Sequence, residues 1–506
     1  MAVMTATAFQ PRQRWRTTEA LADHAWKIAT LIVFAAWLLV IGTHHEAWVD
    51  ESQAWLLARD SNLIQLLIER VRYEGTPGLW HLVLWVCIRC GLAFTGLFLV
   101  STACALAGAA LLLWCSPFPP LLRILLTASY FGGYQFAIVA RSYALDLVLL
   151  PVLAILFQER TKRPIAYGTA LGLLANSNAH SFLVAGILGA EWLITLIRTG
   201  RLRPALAGPS VAVALGLFAL LVAWPPSDNG FLPVERPSPV AAGLRFISEA
   251  FIDRIDFLSA RSPSPLDQTL GLILSLLLLA PSLMLFRRAM VSMLLAATAM
   301  VLIGFSGLTY ANVWHSGILF LVWIFGLWIA WPALKNSKRL KHAAIAALTI
   351  IGTVQAIEAA RSGIWDIRHS YSGSAQAAHA LADWRGVHPG AHMAVAGFKA
   401  LAVQPYYSAN IFANYQRGAS EPSYIVWTRG ETWQPFNTLL EAHKAMTDGY
   451  DALLMSAYAI SPSDFADLEQ MSRKDGYRAT AVYPGSMEWK GYAREDDTLI
   501  FFTRQS

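Results

Sequence analysis

Long apolar segments without charged residues recur between residues 26 and 360, and they limit the folds that this chain can adopt. The segment from Ile28 to Ile41, for example, carries no charge. A run of about 20 apolar residues is what the hydrocarbon core of a bilayer requires of a helix. Because 56% of the 506 residues are hydrophobic and only 14% are charged, a single soluble core cannot hold them. The pattern predicts a polytopic α-helical membrane protein.

The apolar blocks define about a dozen candidate membrane spans. They are residues 26–43, 77–90, 92–113, 121–139, 142–158, 165–178, 180–197, 205–224, 269–286, 289–308, 315–334 and 342–360. Residues 1–25 are Arg-rich and no clear cleavage site follows them, so we interpret them as a cytoplasmic N-terminus before a retained first span.

Lys and Arg in the short loops predict the orientation, because cytoplasmic loops carry the excess of positive charge. The cytoplasmic loops are then 159–163, 198–203, 287–288 and 335–341. The external side receives loops 44–76 and 225–268, the turns near Arg141, Asn178 and Asn312, and the C-terminal region. If all of the apolar blocks crossed the membrane, the basic loops near the two ends of the chain could not all lie in the cytoplasm. About eleven crossings place them all there. We therefore predict that 77–90 does not cross fully, or that 77–113 makes one net crossing.

Residues 361–506 differ in character from the rest of the chain. Short β-rich runs at 392–396, 424–428, 452–455, 480–483 and 498–503 alternate with helical stretches. The alternation predicts a small α/β domain on the external side. The region has no Gly-rich phosphate loop and no metal-ligand spacing, and no metal site is predicted anywhere in the chain.

Two adjacent carboxylates, Asp50 and Glu51, follow the first predicted span. They lie in the run HHEAWVDESQAW at residues 44–55, which is followed by YEGTPGLWH at 73–81 and by ARSYAL at 140–145. Adjacent carboxylates are common in solvated loops, and a solvated pair without a function is the alternative interpretation. The shared external position of the three runs favours a functional reading.

With these motifs in this order, residues 26–360 resemble the membrane-embedded glycosyltransferases of the GT-C class. The branch that they resemble most contains the protein O-mannosyltransferases and the lipid A aminoarabinose transferase. In that class an acidic pair in the first external loop precedes two juxtamembrane helices and a Pro-containing entry to the second span. The second Pro of the usual entry is Gly78 here, and residues 361–506 match no part of the pattern. These departures leave the identity of the acceptor open.

The resemblance implies transfer of a sugar from a polyprenyl-phosphate-linked donor to a glycan, lipid or protein acceptor. The reaction would take place on the external face of a bacterial inner membrane, with the C-terminal domain in the periplasm. Asp50 would be the general base, and Glu51 would orient Asp50 or bind sugar hydroxyls. Arg141 and Tyr143 would stabilise the charge that accumulates on the lipid phosphate. Further candidates for binding the donor phosphate or sugar are Glu74, Asn178, His180 and His315.

Most of these residues also have a structural interpretation. Arg141 could be a cation at the membrane interface, Asn178, His180 and His315 could be capping or interface residues, and Glu74 could be solvated. No cofactor is predicted, although some members of the class use a divalent cation. Membrane lipids are expected partners and nucleic acids are not, because orientation explains the basic loops. A transporter or flippase of lipid-linked sugars, or a non-catalytic scaffold with the same fold, is the alternative function.

Overall fold

The fold is given by a computed structural model that describes residues 11–230, 238–309, 312–415, 423–429 and 436–505. Residues 1–10 of the predicted N-terminus and 231–237 of the predicted external loop lie outside this part. The helices are α1 Pro11–Gly42, α2 Val49–Asp60, α3 Leu79–Arg89, α4 Phe98–Cys115, α5 Pro120–Thr127, α6 Asp146–Phe157, α7 Pro164–Ala175, α8 Ala179–Arg198, α9 Leu202–Ala205, α10 Ala207–Ala223, α11 Pro239–Ala250, α12 Pro265–Arg288, α13 Ser292–Leu308, α14 Ser316–Ala330, α15 Lys338–Arg368, α16 Ser374–Val387, α17 Thr438–Thr447 and α18 Pro462–Lys474. The strands are β1 Met393–Ala396, β2 Ala452–Ser456, β3 Tyr477–Tyr483, β4 Ser486–Trp489, β5 Tyr492–Asp496 and β6 Leu499–Arg504.

In the described part of the chain, 6 helical stretches are long and apolar enough to cross a membrane. They are Asp23–Gly42, Phe94–Cys115, Ala179–Arg198, Pro265–Arg288, Val313–Lys335 and Lys338–Arg368. Shorter apolar helices occur at Leu79–Arg89, Ser142–Phe157, Pro164–Ala175, Ala207–Ala223 and Ser292–Leu308. Large hydrophobic side chains remain exposed on many of these helices, which suits contact with lipid. The chain is therefore a mostly helical, membrane-embedded protein with a small sheet near its C-terminus.

Helix α14 occupies the centre of the helical bundle. All of its residues from Ser316 to Ala330 are buried, whereas α1 and α12 each expose one face. A helix that is apolar on every side is stable only when other helices surround it. Its central position fixes its N-terminal turn, and with it His315, at the end of the bundle where the polar residues gather.

The predicted span 121–139 is not a single helix. It consists of α5 and a π-helical turn at Phe131–Gln135, followed by non-helical residues up to the short helix Ser142–Leu145. Gly132 and Gly133 lie at the break, where their low helix propensity favours it. The break brings Arg141, in extended conformation, to the end of the bundle.

Helix α3 is too short to cross a bilayer alone. Its 11 residues span roughly 16 Å, about half of the hydrocarbon core. At its C-terminal end, the Arg89 guanidinium donates to the carbonyls of Ala58 (2.7 Å) and Ser61 (2.9 Å) at the end of α2. Helices α2 and α3 therefore pack side by side before the chain enters α4.

The C-terminal region contains a 4-stranded sheet of order β1-β2-β6-β3, in which β1 and β2 are parallel and β6 is antiparallel to β2 and β3. This agrees with the predicted α/β character and with four of the five predicted strands. The fifth, 424–428, is not part of the sheet, because its backbone pairs with other partners described below. Helix α15 continues to Arg368, so the predicted domain boundary at residue 361 lies inside a helix.

A β-hairpin that the sequence analysis missed anchors this region to the helical bundle. Strands β4 and β5 are joined by Lys490 and Gly491, both with positive φ (50° and 86°), which matches the tight turns of hairpins. The Lys490 Nζ lies 3.0 Å from the Glu358 carboxylate of α15, and neither side chain is exposed. The Trp489 ring packs edge-on against Tyr130 at 5.1 Å. The two regions are thus joined through a buried, charged contact.

Candidate functional site

A cavity of about 550 Å³ lies at the end of the bundle that faces the C-terminal region. All of the residues singled out from the sequence line it except Glu51; they are Asp50, Glu74, Arg141, Tyr143, Asn178, His180 and His315. The C-terminal region completes the wall with Phe398, Ile425, Trp427 and Arg429. Each contributing turn is one that the Lys and Arg distribution assigns to the external side. We refer to this space as the polar cavity.

The centre of the polar cavity is an ion pair between Asp50 and Arg141. Asp50 lies in the first turn of α2, and an Arg141 nitrogen donates to its carboxylate. The Arg141 guanidinium also lies 5.7 Å from the Trp48 ring and 6.0 Å from the Trp314 ring, distances typical of cation–π contact. Arg141 is therefore held by an ion pair and by aromatic rings, and it presents a fixed positive charge to the cavity.

Glu51 lies behind the cavity wall, where its side chain is only 1% exposed. One carboxylate oxygen accepts a hydrogen bond from the Ala140 backbone N–H (2.6 Å), and the other lies 3.1 Å from His45 Nε2. The second oxygen also accepts from the Trp48 backbone N–H, as in a helix capping box. The predicted contact of Glu51 with sugar hydroxyls does not fit this position. Its contacts instead hold the residue before Arg141 against α2.

The sequence analysis missed His45 as a member of this network. Its Nδ1 lies 2.8 Å from the Asp366 carboxylate at the end of α15, so the imidazole bridges two carboxylates. Burial of the ring disfavours its charged form, but the negative charges of Glu51 and Asp366 outweigh this effect and raise the pKa of His45 to about 10. A protonated His45 therefore links α15, which leads into the C-terminal region, to the helix that carries Asp50.

This histidine predicts a pH dependence of stability. Because the pKa of His45 rises from 6.5 in the unfolded chain to about 10, its stabilising contribution is complete below pH 6.5 and is lost as the pH rises through 10. We expect the difference in unfolding temperature between wild-type protein and His45→Gln to shrink as the pH is raised over this range. A difference that stays constant would show that His45 is uncharged in the folded protein.

Glu74 reaches the polar cavity from a short helix, Val71–Glu74, that ends at Gly75. Gly75 has a left-handed conformation (φ +61°), which turns the chain toward α3. The Glu74 carboxylate accepts a hydrogen bond of 2.8 Å from the Gln53 amide. Burial raises the pKa of Glu74 to about 7, and the nearby charge of Asp50 acts in the same direction. Glu74 is therefore not a freely solvated surface residue.

Gln53 is a second residue that the sequence analysis missed. Its amide nitrogen donates to the Ile425 carbonyl (2.9 Å), and its oxygen accepts from the Ile425 N–H (2.7 Å). This pairing is why residues 424–428 do not join the sheet: the backbone of Ile425 bonds to α2, and Thr428 forms a bridge with Asn229. The segment becomes part of the cavity wall. A lone Gln gives no sequence signal for such a role.

His180 and His315 stack on each other in the cavity wall, with ring centroids 4.4 Å apart and an interplanar angle of 16°. The Asn312 backbone N–H donates to His315 Nδ1 at 2.5 Å, so a neutral His315 carries its proton on Nε2. The Tyr143 ring packs edge-on against His315 at 5.4 Å. The three side chains form one rigid wall that also offers hydrogen-bond donors.

Asn178 has a structural task in addition to its place in the wall. Its side-chain oxygen accepts from the Ser181 N–H and caps α8, while its amide nitrogen donates to the buried Asp146 carboxylate at 2.6 Å. Asp146 also accepts from the Ser177 hydroxyl at 2.9 Å. These bonds match the capping interpretation of Asn178, and contact with a donor stays a prediction. Within the described residues, no group of three or more His, Cys, Asp and Glu side chains is arranged to hold a metal ion.

No protein-family model, curated protein or solved structure matches the chain. A functional assignment therefore depends on the geometry of the polar cavity and on the order of the motifs that meet there.

Proposed function

We propose that this chain is a GT-C-like glycosyltransferase. It would move a sugar from a polyprenyl-phosphate-linked donor to a glycan, lipid or protein acceptor on the external face of a bacterial cytoplasmic membrane. The observation that carries the proposal is the single polar cavity in which Asp50, Glu74, Arg141 and the His180–His315 pair meet. Residues that lie far apart in the sequence converge there, as an active site requires.

The chemistry of such a transfer suits the charges in the cavity. When the bond between the sugar and the phosphate breaks, negative charge accumulates on the lipid phosphate, and a fixed guanidinium such as Arg141 stabilises it. The acceptor hydroxyl or amine must lose a proton, and the carboxylate assigned to this task by the resemblance is Asp50. The Trp427 side chain, which hydrogen-bonds to Glu74, also lines the cavity and offers an aromatic face on which a sugar can stack.

The proposed topology places the polar cavity at the external surface. If α2 and α3 stay on that surface, about eleven segments cross the membrane, counting the broken segment 120–139 as one of them. The loops 159–163, 198–203, 287–288 and 335–341 then all lie in the cytoplasm. Every turn that lines the cavity falls on the opposite side, together with the C-terminal domain, which would be periplasmic.

A reconstituted assay tests the proposal directly. The full-length protein in proteoliposomes would be given radiolabelled polyprenyl-phosphate-linked hexoses or pentoses, with a bacterial membrane extract as the source of acceptors. We expect release of free polyprenyl phosphate together with labelled acceptor. Counterflow of an intact labelled donor without its consumption would instead support the transporter alternative. A well-folded protein that neither consumes nor moves any donor of the panel would favour a non-catalytic scaffold.

A further inference from the structure

The polar cavity contains two carboxylates in different surroundings, Asp50 and Glu74. Asp50 is ion-paired with Arg141. Among the described residues, no Lys or Arg nitrogen lies within ion-pairing distance (4.0 Å) of the Glu74 carboxylate. It is held instead by two neutral donors, the Gln53 amide and the Trp427 side chain. Two neighbouring carboxylates with such different partners can have different roles in one reaction.

Asp50 is already engaged by a positive charge, that of the Arg141 guanidinium. Taking up a proton would neutralise Asp50 and leave the Arg141 guanidinium without its counter-charge at the moment when it must also hold the leaving phosphate. The ion pair therefore suits a positioning role, in which Asp50 fixes the direction of Arg141.

The Gln53 amide that holds Glu74 is, by contrast, uncharged. The Gln53 amide is held by two hydrogen bonds to the Ile425 backbone, so its nitrogen points at Glu74 as a fixed donor. An amide N–H can donate to a carboxylate or to the carbonyl oxygen of a neutral carboxylic acid. Glu74 can thus gain and lose a proton without breaking the contact that positions it.

We propose that Glu74, rather than Asp50, accepts the proton from the acceptor during sugar transfer; this inference rests on the proposed function. The acceptor oxygen attacks the anomeric carbon, the bond from that carbon to the phosphate oxygen breaks, and its electron pair stays on the lipid phosphate beside Arg141. The acceptor proton passes to the Glu74 carboxylate and then to water. Asp50 keeps its ion pair with Arg141 throughout.

The pKa of Glu74, raised to about 7 by its burial, fits this role, because a base works best when its pKa is close to the working pH. Other ionisable groups face the same space from every wall and could also produce a pH dependence; they are Asp50, Tyr73, His81, Arg141, Tyr143, His180, His315 and Arg429. The test must therefore assign the titrating group by substitution and not by the pH profile alone.

The experiment measures transfer against pH for wild-type protein, Glu74→Gln, Glu74→Asp and Asp50→Asn in proteoliposomes with a labelled donor. Wild-type activity should rise with pH through about 7. Glu74→Gln should lose at least about 10²-fold in kcat and lose this rise, whereas Glu74→Asp should recover part of the rate and keep a rise. Asp50→Asn should keep the rise in its residual activity while its KM for the donor increases. Glu69→Gln, an exposed glutamate five residues away, should behave as wild type.

Two results would overturn the inference. One is a Glu74→Gln protein with full activity and an unchanged pH profile. The other is loss of the pH-dependent rise in Asp50→Asn but not in Glu74→Gln, which would return the base to Asp50. Both require a transferring wild-type protein, so they differ from failure of the proposed function, in which the wild type itself consumes no donor. Binding of the protein to free polyprenyl phosphate would show that Glu74→Gln has kept its fold.

Discussion

Replacement of Arg141 by glutamine is expected to lower sugar transfer by about 10²–10³-fold, the usual effect of removing one group that stabilises transition-state charge. Arg141 pairs with Asp50 and lies among the rings of Trp48, Tyr143 and Trp314, so its guanidinium cannot turn away from the cavity. Glutamine can donate hydrogen bonds but brings no positive charge to the leaving phosphate. The rate of polyprenyl phosphate release from a labelled donor measures the effect.

Two further variants show whether the effect depends on the guanidinium of Arg141 and on its position in the cavity. Arg141→Lys keeps the charge but loses the planar fork that binds a phosphate through two hydrogen bonds, so an intermediate rate is expected. Arg385→Gln removes an exposed arginine of α16 that lies outside the polar cavity, and it should transfer at the wild-type rate. If Arg141→Gln were as active as Arg385→Gln, the lipid phosphate could not lie beside Arg141, and the proposed reaction centre would be wrong.

The sequence predicted which residues meet in the cavity better than it predicted their individual tasks. Asp50, Arg141 and His315 could be grouped because each lies at a turn that the Lys and Arg distribution assigns to one side of the membrane. Glu51 shares that position, yet its neighbours place it behind the wall. The direction of a side chain depends on tertiary contacts, here those with His45 and the Ala140 N–H, which lie 6 and 89 residues from it in sequence.

In the C-terminal region, too, tertiary contacts decide features that the sequence pattern alone does not specify. Strands β1, β2, β3 and β6 were predictable from β-rich runs, because apolar side chains on one face of the sheet pack together with α17 and α18. Residues 424–428 have an equally strong strand pattern, but the Gln53 side chain and the backbone near Asn229 satisfy their hydrogen bonds. Strand propensity describes a preference for extended backbone and does not identify the partner.

The β4–β5 hairpin could not be assigned a role from sequence, because Lys490 has the appearance of an exposed turn residue. In the structure it is fully buried between the Glu358 carboxylate and the rings of Tyr130, Phe131 and Trp489. The Arg254 guanidinium donates to the Lys490 carbonyl at 2.8 Å and ties the loop before α12 to the same hairpin. A charged residue is thus part of the interface between the bundle and the C-terminal domain.

Replacement of Lys490 by methionine is therefore expected to destabilise the protein by about 3–5 kcal/mol, because it leaves the buried Glu358 charge without its partner. Unfolding in detergent, followed by tryptophan fluorescence, measures the loss. The double variant Lys490→Met/Glu358→Leu removes both charges, and it should recover most of the stability because a well-packed apolar pair replaces an ion pair at little cost. Lys474→Met, at the exposed end of α18, is the matched control and should have no effect. If the double variant were as unstable as Lys490→Met, the methionine itself would be disrupting the hairpin, and the ion pair would not be the contact that docks the C-terminal domain.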